Sequence, residues 1–161
     1  MHIKVSDEPE SEERGGEMGA RLERIKSYLE AHHVLTLATV DEGGAWAASL
    51  FYASDDALNL YVLSDPATRH GRAIVRDARV AVTVHGEIRE WMAIRGIQLW
   101  GTAGEVTEAE ETFTRYIEKF PFAAALIPVG GPHRFYRIAP RWIRLIDNSQ
   151  GLGFKEEIRL E

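Results

Sequence analysis

One segment limits the folds open to this chain more than any other. Residues 94–106 (IRGIQLWGTAGEV) read as a single long strand, yet Gly96, Gly101 and Gly104 lie inside it. Glycine weakens a regular strand, so glycines repeated along one strand mark sharp bends or close backbone approach, as a sheet needs when it curls round to close on itself. The neighbouring runs supply the rest of such a sheet. Residues 34–40 are rich in branched side chains and residues 46–52 in aromatic ones, and between them lies a turn of Asp41, Glu42, Gly43 and Gly44 whose glycines tolerate positive φ. A second turn at Ser54, Asp55 and Asp56 leads into residues 58–63 and completes a three-stranded meander. Residues 79–85 read as a fourth strand and residues 134–147 as the last, interrupted by Pro140, which predicts an edge or a bulge there. Six strands, few helices and no regular strand–helix alternation predict a mainly β fold, a small barrel with flanking helices rather than a doubly wound sheet.

The helices follow a different period. Met18, Leu22, Ile25 and Leu29 form one stripe of a helix whose other faces carry Arg21, Glu23, Arg24 and Lys26. Ahead of it, residues 1–17 hold six acidic side chains, Pro9 and the Gly15, Gly16 pair with almost nothing to bury, so they read as a mobile acidic tail. Residues 18–161 then read as a single domain, long enough to bury roughly two thirds of its unfolded surface. Thr107 and Glu110 have capping-box spacing, and Phe113, Tyr116, Ile117 and Phe120 give the following helix a buried stripe that Pro121 ends.

Bulk properties exclude several classes of function. A net charge of -6 gives no broad positive field for DNA or an anionic membrane, although a local anion pocket remains open. Without cysteine there are no disulfides, thiolate metal sites or thiol redox chemistry, so any redox work belongs to a bound cofactor. No apolar run approaches the roughly 20 residues that span a bilayer, and the N-terminus is polar and acidic, which predicts a cytoplasmic location.

Chemistry concentrates in residues 63–74, LSDPATRHGRAI. Ser64 or Asp65 can cap a helix with Pro66 in its first position, leaving free amides that suit an anion. Thr68 adds a hydroxyl, Arg69 a guanidinium fork suited to phosphate oxygens, and His70 a third donor. The plainer reading has Asp65 capping a connector helix and Arg69, Arg72 and Arg76 solvated or paired with carboxylates; both readings stay open on the residues alone.

A strand ending at Ser64, then Thr68, Arg69 and His70, then the strand of residues 79–85, resembles the flavin-binding split-barrel family related to pyridoxamine 5'-phosphate oxidase. The hairpin of residues 37–52 is similar to that family's entry strands, residues 95–106 to its next long strand, and residues 135–140 to its closing one. Together with residues 147–154, the whole looks like the YhbP-like branch. The resemblance implies a six-stranded FMN-binding split β-barrel of Greek-key type. It implies that Leu63 and Ser64 lie at the phosphate end, with Thr68, Arg69 and His70 holding the phosphate, and that Ala48, Ser49, Leu50 and Phe51 border the isoalloxazine. His70 stands where the family carries lysine and Gly96 where the oxidase has a flavin-contacting glutamine; Gln98, on the same strand face, is the implied substitute. The oxidase's C-terminal substrate-binding segment has no counterpart here.

In that family the ring lies between two subunits, so the resemblance also implies a homodimer, with Trp46, Trp100 and Trp142 at the interface or, alternatively, as core or scattered surface aromatics. The implied activity is an oxidoreductase using FMN for hydride or electron transfer, with NAD(P)H or a small molecule as donor. Two other classes remain: a non-catalytic flavin or haem store or sensor, with His70 or His85 as the haem ligand, and a cofactor-free dimeric interaction protein. Other constellations are weaker. His32 and His33 lack a third metal ligand at any familiar spacing, and Glu110 and Glu111 read as a solvated helix face. Arg134, Arg137, Arg141 and Arg144 read as strand surface rather than a single-stranded nucleic-acid track.

Overall fold

Strict alternation of buried and exposed side chains gives the sheet one dry face. The computed structural model describes residues 8–128 and 130–161. Within them lie α1 (Glu8–Ala31), β1 (Val34–Asp41), β2 (Gly44–Ser54), β3 (Leu60–Ser64), α2 (Arg69–Arg76), β4 (Arg79–His85), β5 (Arg95–Glu105), α3 (Ala109–Lys119), α4 (Ala123–Leu126), β6 (Arg134–Asp147) and β7 (Lys155–Arg159). Leu35 and Leu37 on β1, Val80, Val82 and Val84 on β4, and Ile97 and Leu99 on β5 all turn inward and are essentially inaccessible. Each such side chain contributes about 1.5–3 kcal/mol by leaving water. The strands run in the order β3-β2-β1-β4-β5-β6-β7, and β3 also pairs with β6 from Leu60↔Ile138 to Ser64↔Arg134, closing a six-stranded antiparallel barrel. The closure is incomplete on one side. β2 pairs with β1 from Gly44 to Phe51 and with β3 only at Tyr52, Ala53 and Ser54, so the edge of residues 44–51 has no second strand among the described residues.

The glycines and Pro140 do what their residue types predict. Between β5 and β6 the register runs Trp100↔Trp142 and then Gly101↔Pro140, so Arg141 is the extra residue of a bulge. A Cβ on Gly101 would stand 2.0 Å from the carbonyl oxygen of Ala139, so only glycine fits. Pro140 falls where β6 has left β3, at Ile138, and has not yet joined β7, at Trp142; its missing N–H costs no ladder bond.

The helices seal the barrel. Ile25, Tyr28 and Leu29 of α1 are buried against it, while Arg24 is bonded to Glu156 and Arg21 Nη1 donates to the Glu157 carbonyl at 3.0 Å, so β7 holds α1 in place. α3 presents Tyr116 and Phe120 to a second apolar cluster with Ala53, Ala123 and Phe135. At its end Lys119 Nζ donates to the carbonyls of Leu29 (3.1 Å) and His32 (2.5 Å), and lies 4.2 Å from the Tyr52 ring centroid. A cation on the last carbonyls of a helix answers both their unsatisfied lone pairs and the negative end of the dipole.

Of the proposed acidic tail, residues 1–7 lie outside those described and residues 8–17 belong to α1. Two expectations need correction. The capping box does not form: α3 begins at Ala109 with Glu108 as N-cap and no side-chain cap bond, which leaves Thr107 one position too early. β7 adds a strand that the sequence pattern hides, because Ile158 is its one buried residue among charges.

Candidate functional site

The site is built where β3 hands over to α2. Asp65 accepts three bonds there: Ala67 N to its carboxylate at 2.8 Å, and Thr68 N (3.0 Å) and Thr68 Oγ1 (2.8 Å) to its carbonyl. That turn uses Pro66 and delays the helix. The N-cap is therefore Thr68, whose Oγ1 accepts from Gly71 N at 3.1 Å, and not Ser64 or Asp65 as the sequence suggested. Gly71 permits the chain to fold back so tightly, since a Cβ there would lie 2.8 Å from the Pro66 carbonyl oxygen.

Arg69, the first residue of α2, reaches across to the β1–β2 turn. Its Nε and Nη2 donate to the two carboxylate oxygens of Asp41 at 2.7 and 2.9 Å, a bidentate pair, and its guanidinium lies 4.6 Å from the Trp46 ring centroid. This contact, reinforced by the Gly43 amide, holds the Asp41 carboxyl down at about 2. His70 takes a different course. It is buried, its Nε2 lies 2.7 Å from Ser64 Oγ, and burial lowers its pKa, so the ring is neutral near pH 7 and orients Ser64. Nearby, the Thr39 hydroxyl on the inner face of β1, opposite Trp46, is buried with no hydrogen-bond partner among the described residues.

Ser64, Thr68, Arg69 and His70 are thus brought together at one corner. The other sequence-derived residues are not. Leu63 turns the opposite way and packs on the α3 cluster. On β2, Ala48 and Leu50 share the inner face with Leu37 and Leu35, while Ser49 and Phe51 point outward. Ser49 belongs to a cross-strand row with Thr36, Thr83 and Gln98, of which Ser49, Thr83 and Gln98 are exposed. One row away, Ala47, Ala38 and Ala81 lead to the paired Trp100 and Trp142, a flat outer face of small side chains ending in two indoles. His85 is exposed with Nδ1 at 3.0 Å from the Gly86 carbonyl. Sequence reasoning missed Asp41 as the partner of Arg69 and read Trp46 only as an interface or core aromatic; a carboxylate opening a Gly-Gly turn carries no signal of which cation it meets.

Comparison with known proteins agrees with this architecture. Residues 22–147 match the family described as Pyridoxamine 5'-phosphate oxidase. The UPF0306 protein YhbP of Escherichia coli O157:H7 is 33% identical over 138 residues, covering 83% of this chain and 90% of that protein. A FAD-binding protein of Mesorhizobium loti superposes with a TM-score of 0.60 at 24% identity over 74% of this chain and 87% of that one. A heme binding protein of Mycobacterium smegmatis does so at 0.66 and 19% over 82% and 57%. Both of these share the fold. With its closed six-stranded barrel and the match along most of its length, the chain belongs to the pyridoxamine 5'-phosphate oxidase-like family, in the YhbP-like branch.

Proposed function

We propose that the protein is a cytoplasmic homodimer that holds FMN at the subunit boundary and serves as an oxidoreductase between a small reduced donor, such as a nicotinamide, and an acceptor. The observation that carries this reading is the corner at Arg69, where a guanidinium fork, the Thr68 hydroxyl and the first amides of α2 meet on a barrel of this family. The donors, the Arg69 guanidinium and the free first amides, fit a phosphate ester; the Thr68 proton is already given to the Asp65 carbonyl, so its hydroxyl holds the turn. Arg69 already holds a carboxylate, so an entering phosphate replaces Asp41 in the fork. Gln98 and Thr83 offer hydrogen bonds to a ring edge, and the alanine face between them and Trp100 suits a planar group covered by a second copy of the chain. The FAD-binding fold neighbour supports a flavin. Among the described residues no helix is long and apolar enough to cross a membrane.

Bound FMN would supply hydride and one-electron chemistry that no side chain of a cysteine-free protein provides. The chain's own contribution is position and charge: Arg69 countering the phosphate, neutral His70 fixing Ser64, and an apolar outer face excluding water from the ring. An Arg–phosphate contact is worth about 1.5–3 kcal/mol and a helix end about 0.3–1. Burying roughly 200 Å² of ring adds about 5 kcal/mol, against an association cost of about 4 or more. Micromolar affinity, about -8 kcal/mol, therefore requires clamp and ring face together.

The test is the visible spectrum of the purified protein followed by FMN titration of wild type and Arg69→Ala. Flavin absorbance that NADPH bleaches anaerobically, with FMN affinity at least about tenfold weaker in Arg69→Ala and circular dichroism unchanged, supports the proposal. A colourless protein that takes up no FMN, or equal affinity in both forms, overturns it.

A further inference from the structure

The two halves of α3 meet the barrel differently. Its second half is fastened by the Tyr116 and Phe120 cluster and by Lys119 on the end of α1. Its N-cap Glu108, with Glu111 and Arg115 further along, places charged side chains that do not close an apolar seam over a strand surface where Gly104 has nothing within 4 Å of its absent Cβ. The helix therefore roofs a cavity of about 620 Å³ on the outside of the barrel, floored by the cross-strand row Tyr61, Arg137 and Gly104. It shares no lining residue with the Arg69 corner.

Part of its lining is rigid and part is left unmatched. Tyr61 Oη donates to Asp55 Oδ2 at 2.9 Å, and the same carboxylate accepts from N and Nδ2 of Asn59, each at 2.9 Å, so Tyr61 retains only acceptor capacity. Arg137 makes no ion pair with a described residue, nor does Glu108. Arg115 meets Glu111 at 3.4 Å and Arg134 meets Glu105 at 3.5 Å, loose pairs of the kind that contribute little. A simple anion entering here would face Glu105, Glu108 and Glu111; a simple cation would face Arg115 and Arg137. A molecule that carries one charge of each sign at its two ends finds a partner for both. Alanines 78, 103 and 139 and Val106 form the apolar part of the wall. The volume lies within the roughly 300–1,000 Å³ of small-molecule sites.

We propose that this cavity binds a small zwitterion of dipeptide size, with its carboxylate in the fork of Arg137 and its ammonium among the carboxylates at the start of α3. The probes are glycylglycine, N-acetylglycylglycine, which lacks the ammonium, and glycylglycinamide, which lacks the carboxylate, titrated calorimetrically into the full chain. Glycylglycine binds at millimolar concentration and each blocked form binds about tenfold more weakly. Arg137→Gln removes the preference for the free carboxylate, and Glu108→Gln reduces that for the free ammonium, both with unchanged thermal midpoint. Absence of glycylglycine binding at millimolar concentration, equal binding of all three probes, or an unaltered preference in Arg137→Gln overturns the proposal. None of these readouts depends on FMN.

Discussion

Arg69 and Arg137 are the same side chain under opposite treatment. Arg69 is held side-on, through Nε and Nη2, by the two oxygens of Asp41 and laid against Trp46, so its position is fixed without any ligand. Arg137 lies on an exposed strand face with no carboxylate partner among the described residues. The difference separates two ways of preparing a charged site. An internal partner fixes geometry but obliges an incoming anion to compete; a missing partner leaves the charge available but poorly positioned until something arrives.

Both regions lie on the barrel that the β5–β6 pairing helps to close, so the largest effect comes from breaking the bulge there. Gly101→Val forces a Cβ into the Ala139 carbonyl, and we expect a loss of about 3 kcal/mol or more in urea unfolding; an unchanged midpoint would mean that the two strands are not held as described. The next test addresses the contrast directly. Asp41→Ala and Arg69→Ala should each lower the thermal midpoint, the double variant by less than their sum, while Arg137→Gln stays within about 0.5 kcal/mol of wild type. Additive losses would show that the Asp41 pair does not hold the corner. Asp41→Asn should also strengthen FMN binding by removing the competitor.

The smallest effect is a pH dependence. Burial lowers the His70 pKa below its unfolded value of 6.5, so on acidification the unfolded chain takes up its proton first. Stability from this group is full above pH 6.5 and declines as pH falls below it. Asp41, held down at about 2, adds a separate loss as pH falls from 3.8 toward 2. His70→Asn should flatten the first window and leave the second in place. A profile below pH 6.5 that is identical in both proteins would remove His70 from the account.

What could be read from the sequence was local. Branched runs and glycine turns specify β1 to β5, Pro140 marks its own bulge, and Thr68, Arg69 and His70 are adjacent in the chain. What escaped depends on contacts between distant positions. Asp41 meets Arg69 from 28 residues away, and the α3 cavity joins Asp55, Tyr61, Glu108 and Arg137, which no spacing rule connects. The capping box failed because a one-residue shift in backbone conformation moves the whole motif, and the His70 environment could not be read because burial is a property of the fold.

Lys119 imposes an order on biosynthesis. The carbonyls it satisfies near the end of α1 emerge from the ribosome 90 and 87 residues before it does. Until then the terminal turn of α1 stays wet and liable to fray, and any nascent chain that has not yet reached Lys119 lacks the ammonium that finishes it. The first described helix is sealed by a residue that follows the barrel's fifth strand in the chain.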